Sequence, residues 1–289
     1  MRVSSLNYLS FLSARPKKAA GDSSQVKAQQ NSKLRLIYEL VKREIESRYR
    51  GSVLGIVWSM ITPLLMLGVY TFVFGTVFGA RWTEAGTQTP PAQFAVILFA
   101  GLIVYQIFAE TIIRAPMLMI SHSNYVKKVV FPLEILVPVA IGNALFHAAV
   151  SLLILLPFLF LFMGGIPWTI VLLPVVIAPL LLMSAGVGWF LASLGTYTRD
   201  IGQFIGTVAT AILFLAPIFF PSTALPAWLQ PWLALNPVTV PVEQAREVLI
   251  FGRLPDFSDL TSYGLVSVVF AGFGFLWFQK TRKGFADVL

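Results

Sequence analysis

From residue 33 the chain shows helical apolar spacing, which passes without a linker into an uninterrupted apolar run. At roughly 100° per residue, Leu34, Ile37, Tyr38, Val41, Ile45 and Tyr49 share a stripe about 120° wide. Lys42, Arg43, Glu46 and Arg50 face the other way, with Arg35 and Glu39 beside them. The pattern predicts an amphipathic helix over 33–52, lying flat on a membrane with its basic face towards water and anionic headgroups. A soluble helix packed on a domain would show the same stripe. The next charge after Arg50 is Arg81, however, and a soluble domain does not carry so long an uncharged run.

Apolar runs near the ~20 residues a bilayer requires then predict six spans, over 53–79, 94–113, 132–162, 168–194, 201–220 and 260–278. No Lys, Arg, Asp or Glu occurs from Ile135 to Thr198, too long a stretch for one helix, and Gly164-Gly165-Ile166-Pro167-Trp168 divides it. The expected fold class is an all-α polytopic membrane protein. The segment 221–259 carries prolines at 221, 226, 231, 237, 241 and 255 and two apolar stretches too short to cross. It predicts two short re-entrant helices between spans five and six. Asn236 and Pro237 serve as N-cap and first turn of the second, and Glu243, Arg246 and Glu247 form its polar face. A lid over an exit path is one reading of this segment, and interfacial anchoring by Trp228 and Trp232 is the other. Residues 1–32 show no period and are expected to be disordered. The short run Leu6–Leu12, interrupted by Tyr and Ser, does not make a signal peptide.

Composition agrees with a membrane protein: 57% of residues are hydrophobic and 12% charged, and mean hydropathy is +0.79. A soluble domain carries about 25% charged residues. The net charge of +8 does not point to nucleic acid, because eleven of the 21 Lys and Arg precede Val53. With the N-terminus inside, eighteen basic residues lie in cytoplasmic segments (1–52, 114–131, 195–200 and 279–289) and three outside, so both ends are expected in the cytoplasm. There is no cysteine and there are two histidines, so neither a disulfide nor a protein-built metal site is expected.

The charged residues near the membrane also limit the energy source. Glu110 stands one turn from Arg114, and Glu134 lies near Lys127 and Lys128, all towards the cytoplasmic side. Only His147, one turn from Asn143, falls at mid-depth, where an interhelical hydrogen bond is the commoner role and a proton relay the rarer. That pattern argues against a secondary transporter. No Gly-Lys-Ser or Gly-Lys-Thr occurs, so the phosphate-cradling loop of an ATPase is absent and no catalytic residue is proposed. The connection 114–131 mixes apolar residues with a basic end, as a surface helix docking on a cytoplasmic partner would. The connection 197–201 is a tight turn with the opposite-charge pair Arg199 and Asp200. Either is also consistent with a solvated turn.

From about Lys33 to Leu289 the chain resembles the permease subunits of ABC exporters for polysaccharides and polyol phosphates, which serve O-antigen, capsule and teichoic acid. The resemblance is carried by Arg48-Tyr49-Arg50-Gly51-Ser52-Val53-Leu54-Gly55 with Trp58 and Pro63. The runs 127–134, 197–200 and 280–287, and Asn236-Pro237 with Arg246, add to it. It implies a homodimer in the bacterial inner membrane bound to two copies of a separate ATPase, which would hold ATP and magnesium. No cofactor is implied for this chain. A lipid-linked glycan would enter past Arg48, Tyr49, Arg50 and Trp58. Spans one and five would line its path, with Tyr70, Phe74, Phe78, Phe214 and Phe219 as candidate lining. Asn124, Tyr125, Lys127, Lys128, Arg199 and Asp200 would couple to the ATPase. Trp228, Trp232, Asn236, Pro237, Glu243 and Arg246 would form the outer gate. A permease of the same build for a drug or lipid is the alternative.

Overall fold

The structure, a computed structural model, describes residues 22–52, 54–77, 83–84, 87–88, 90–126, 131–226, 228–233 and 235–289. Met1–Leu36 and Ile37–Leu289 form separate units, and everything below from Ile37 onward belongs to the second.

Helix α1 spans Asp22–Tyr49, so it starts ahead of the expected boundary at 33. Its protein-facing side comprises Ile37, Leu40, Val41, Glu44, Ile45 and Tyr49, all half-buried, whereas Tyr38 is 66% exposed. The expected stripe is therefore rotated, and it takes in an acid. The cause is the surface that receives it. A Cβ at Gly142 would meet Val41 Cγ2 at 2.6 Å, so the glycine opens a notch for Val41 and turns Glu44 inward.

Gly55–Val57 makes a 3-10 turn into α2 (Trp58–Tyr70), which continues as a π-helical segment, Thr71–Val77. Within α2 only Ser59 and Leu67 are buried. After a minimal antiparallel pair, β1 (Thr83–Glu84) with β2 (Thr87–Gln88), Pro91 opens α3 (Pro91–Arg114). α3 is apolar all round and buried on nearly every side, as the central helix of a bundle must be. A 3-10 turn (Ala115–Met117), α4 (Leu118–Ser121) and α5 (Ser123–Val126) follow directly. Then come α6 (Leu136–Phe162), α7 (Leu173–Tyr197) and α8 (Ile201–Leu215). The last elements are α9 (Gln230–Leu233), α10 (Thr239–Arg246), α11 (Phe257–Thr281) and α12 (Phe285–Val288). Asp256 caps α11 by accepting from the Ser258 and Asp259 amides.

Small residues set the tightest contact. Gly186 on α7 and Gly274 on α11 face each other so closely that a Cβ on either would overlap the other helix's backbone.

Among the described residues, five helical stretches are long and apolar enough to cross a membrane: Gly55–Val77, Pro91–Ser121, Leu133–Phe162, Trp168–Tyr197 and Phe257–Val288. They match five of the six expected spans. The exception is the span expected over 201–220, where α8 has 15 residues, or about 22 Å. It stops because Ala216, which precedes Pro217, is driven to an extended conformation (ψ 153°).

The segment after it also departs from expectation. α9 is a single turn, and α10 starts at Thr239 with Val238 as its N-cap. Asn236 is occupied two residues earlier. Its Oδ1 accepts from the Val238 amide at 3.2 Å, and its Nδ2 donates to the Ile212 carbonyl on α8 at 3.0 Å. α10 runs into a second π-helical segment, Glu247–Phe251, so the expected second helix is present, but it begins two residues after the expected first turn at Pro237 and changes pitch.

Candidate functional site

Two sites of unusual polarity stand out. At the first, α1 meets α3 and α6. Glu110 on α3 accepts from Arg48 Nη1 at 2.9 Å and from His147 Nδ1 on α6 at 2.8 Å, with Arg114 Nη1 at 3.8 Å. Glu44 on α1 accepts from Arg114 Nη2 at 2.7 Å and from the Asn143 amide, and His122 Nε2 lies 3.8 Å away. Tyr49 Oη stands 3.1 Å from His147 Nε2.

The donors and acceptors assign themselves. An ionised Glu110 only accepts, so His147 Nδ1–H donates to it, while Nε2 meets the Tyr49 hydroxyl. Two carboxylates, Glu44 and Glu110, stand among two guanidiniums, Arg48 and Arg114. Breaking a buried pair from one side costs about 3–5 kcal/mol. The Arg48 side chain is 54% exposed, so its share is smaller. His147 thus makes the interhelical bond expected of it.

This arrangement divides the expected entrance residues. Tyr49 is half-buried against His147, and Arg48 reaches Glu110 while its side chain stays largely exposed, as Arg50 and Trp58 are. Glu44 was not singled out in the sequence. Its signal was the i, i+4 ladder from Leu40 through Glu44 to Arg48, which interrupts an otherwise apolar inner face.

The coupling candidates gather beside this joint. Tyr125 lies between the His122 ring (5.8 Å, 15°) and the Phe131 ring (4.4 Å, 11°), and Arg43 donates to its hydroxyl at 3.5 Å. Asn124 is exposed, and Lys127 and Lys128 lie outside the described residues. Glu134, expected beside those lysines, has Arg282 at 3.3 Å. Arg199 and Asp200 are exposed on the α7–α8 turn. Tyr197 ties that turn to the end of the chain by donating to the Thr281 carbonyl at 2.9 Å. Gly195 lets the turn Ala115–Met117 press onto α7 at Pro116. Both connections and the C-terminal segment therefore share one end of the bundle.

The second site is the break after α8. Arg246 was expected on a polar face of α10 with Glu243 and Glu247, but it points into the bundle and is 2% exposed. Its guanidinium donates to the carbonyls of Ile97 (3.2 Å), Ile218 (2.7 Å) and Pro217. The Pro217 and Ile218 carbonyls belong to the chain that leaves the helix, so they need a donor from elsewhere. Desolvation pushes the Arg246 pKa down to about 9, which leaves it cationic at neutral pH. Glu243 and Glu247 are half-buried, and Glu247 has Arg253 at 3.6 Å. Pro237 accepts from the Tyr263 hydroxyl at 2.6 Å, while Trp228 and Trp232 are exposed, as interfacial rings are.

Of the candidate lining aromatics, Tyr70, Phe214 and Phe219 come together. Phe219 lies 5.8 Å from the Tyr70 ring and 5.4 Å from the Phe214 ring. Phe219 is buried, which makes it the packed centre of the cluster, and Phe214 is exposed. The Phe74 side chain and Phe78 lie outside the described residues.

Gln203, Thr207 and Thr210 were missed in the sequence. At i, i+4 and i+7 they form an exposed polar stripe on α8. With Gly206, Ala211 and Phe214 they line an open groove of about 620 Å³. Among the described residues, no group of three His, Asp or Glu is arranged to hold a metal ion.

A bundle of apolar spans, an amphipathic helix joined to their charged ends and one interrupted helix with a polar face define a multi-pass membrane protein. Residues 35–250 match the ABC-2 type transporter family, and the chain belongs to it. Among relatives, the O-antigen export system permease protein RfbA of Myxococcus xanthus is 27% identical over 254 residues, covering 87% of this chain and 94% of that protein. RfbA of Klebsiella pneumoniae is 23% identical over 262 residues, 88% of this chain and 95% of its own length. The polysialic acid transport protein KpsM of Escherichia coli is 24% identical over 254 residues, 84% and 92% of the two chains.

Proposed function

We propose that this chain is the membrane-channel half of an ATP-driven exporter that carries a lipid-linked polysaccharide, of the O-antigen kind, out of the cytoplasm across the inner membrane. The observation that carries the reading is the face of α8. Lipid does not favour Gln203, Thr207 and Thr210 side by side on an exposed apolar helix, so the stripe borders either a wet path or a second copy of the chain. Threonine and glutamine offer hydrogen bonds to sugar hydroxyls, and Phe214 at the end of the stripe offers a ring to a sugar's C–H face. The little-buried α2 gives the opposite wall once two copies pair. In this arrangement six segments cross, α8 with the residues after it being the sixth, and α9 and α10 lie across its outer end. Both chain ends face the cytoplasm. The end of the bundle that holds the 115–126 segment and the α7–α8 turn receives the separate ATPase, which supplies ATP and magnesium. The relatives named for O-antigen export and polysialic acid transport support the substrate class.

The test is a pull-down from the native membrane with a Thr207→Trp variant alongside. An ATPase subunit with a phosphate-cradling loop should co-purify with both proteins. The variant should lose surface polysaccharide while its lipid-linked precursor accumulates inside. Absence of any such ATPase, or normal surface glycan in the variant, overturns the reading.

A permease of the same build for a lipid is the second reading. It is favoured by an apolar groove of about 430 Å³ between α2, α3 and α6, lined by Leu64, Leu67, Phe72, Val96, Leu155 and Phe158 among others. Unchanged glycan together with altered lipid asymmetry in the Thr207→Trp strain would select it.

A further inference from the structure

We propose that Glu44 is a positioning residue that makes α1, the end of α3 and the 115–126 segment move as one body, a role that rests on the exporter reading above. Two elements bond to this one side chain, Arg114 from the last residue of α3 and Asn143 from α6, and His122 at the junction of α4 and α5 stands 3.8 Å away. Arg114 is followed directly by the turn Ala115–Met117, so whatever holds Arg114 also holds the root of the segment.

A single contact would let α1 pivot, but there are more. One turn further along α1, Arg48 grips Glu110, and Tyr49 reaches His147. Arg43, on the side nearer α5, donates to Tyr125 within its ring stack. Grips separated by about 6 Å along the axis fix both the rotation and the sliding of a helix. The charges within the joint balance, and at a membrane edge the effective dielectric is low. Pulling Glu44 away from Arg114 therefore separates opposite charges where water screens them poorly. It also strands the Asn143 amide, whose Oδ1 already has no partner. A displacement delivered to the 115–126 segment is consequently passed to α1, and through it to the span that begins at Gly55.

The chain has no cysteine, so Ser47→Cys on α1 and Ser123→Cys on α5 are its only thiols and, with an ATPase whose cysteines are replaced, can be spin-labelled in the full permease–ATPase complex. The label-to-label distance should be the same in the nucleotide-free and vanadate-trapped states. Adding Glu44→Gln should broaden that distance and cut the host strain's surface glycan several-fold, while the purified complex still hydrolyses ATP. A distance that shifts between the two states with Glu44 in place overturns the proposal. So does a Glu44→Gln complex with unchanged distance and unchanged export. The measurement with Glu44 intact decides the matter even if the variant does not assemble. Hydrolysis by the parent complex checks the exporter reading first, so a shifted distance in that complex counts against the joint alone.

Discussion

Arg246 and His147 carry the sharpest residue-level consequences. Arg246 was expected at the outer gate, but its burial against three backbone carbonyls makes it part of the fold. Arg246→Ala leaves the Ile97, Pro217 and Ile218 carbonyls without this donor and opens a hole beside Gly101, at a cost of about 3 kcal/mol. The expected outcome is a lower unfolding temperature in detergent and a lower yield of assembled complex, read by thermal-shift and size-exclusion assays. Arg246→Lys should recover only part of it, because an ammonium cannot span all three acceptors. At His147, glutamine keeps a donor near Glu110 and an acceptor near Tyr49, whereas leucine keeps neither. His147→Gln should therefore hold stability close to the parent, and His147→Leu should lose roughly 2–3 kcal/mol by leaving Glu110 short of a donor. Equal losses in the two variants would refute the role of the His147 hydrogen bonds to Glu110 and Tyr49.

At the scale of elements, the interruption of α8 decides most. Because Ala216 is forced extended by Pro217, the helix ends about 8 Å short of the ~30 Å hydrocarbon core, and the following carbonyls are left for Arg246. Pro217→Ala removes that block. It should let α8 extend, seen as lost solvent accessibility of labels placed over 218–221, and should lower export. The α7–α11 contact makes a second test. Gly274→Leu puts a side chain into the Gly186 backbone, and little folded protein should be recovered by fluorescence-detected size exclusion. At Gly206 on the open face of α8 an added Cβ has nothing within 4 Å, so Gly206→Leu should leave folding unchanged and, under the exporter reading, impair export.

For the whole molecule, buried and exposed helices sort into distinct roles. α3 forms the hub and contacts α6, α7, α8 and α10, whereas α2 buries little and α8 presents a polar stripe. The α8 face that carries Gln203, Thr207 and Thr210 is left uncovered by its own chain, and under the proposed reading a second copy stands near it. Cross-linking of single cysteines at Gln203 or Thr210 should trap a dimer of permeases, and cysteines on the lipid-facing side of α11, at Val269 or Leu276, should not. Reporter fusions at either terminus should score both ends as cytoplasmic, as the distribution of basic residues demands.

The amino-acid sequence by itself determined the class, five of the helices long enough to span, the amphipathic α1 and the candidate coupling segments. Those features depend on local hydropathy, charge and breaker residues, which act over a few turns of chain. It also held the 216–217 break in plain view, although a composition window that averages over twenty residues passes across a single proline. The partners of α1, the direction of Arg246 and the first residue of α10 were decided only by tertiary structure. Each depends on residues distant in the chain meeting at one point: Val41 in the notch of Gly142, Glu44 against Arg114, Arg246 against Ile97 and Asn236 against Ile212. A periodicity can say that a helix has an inner face, but the partner surface determines which side chains occupy it. That is why Glu44, read as one charge among many along α1, turns out to lie at the centre of the joint.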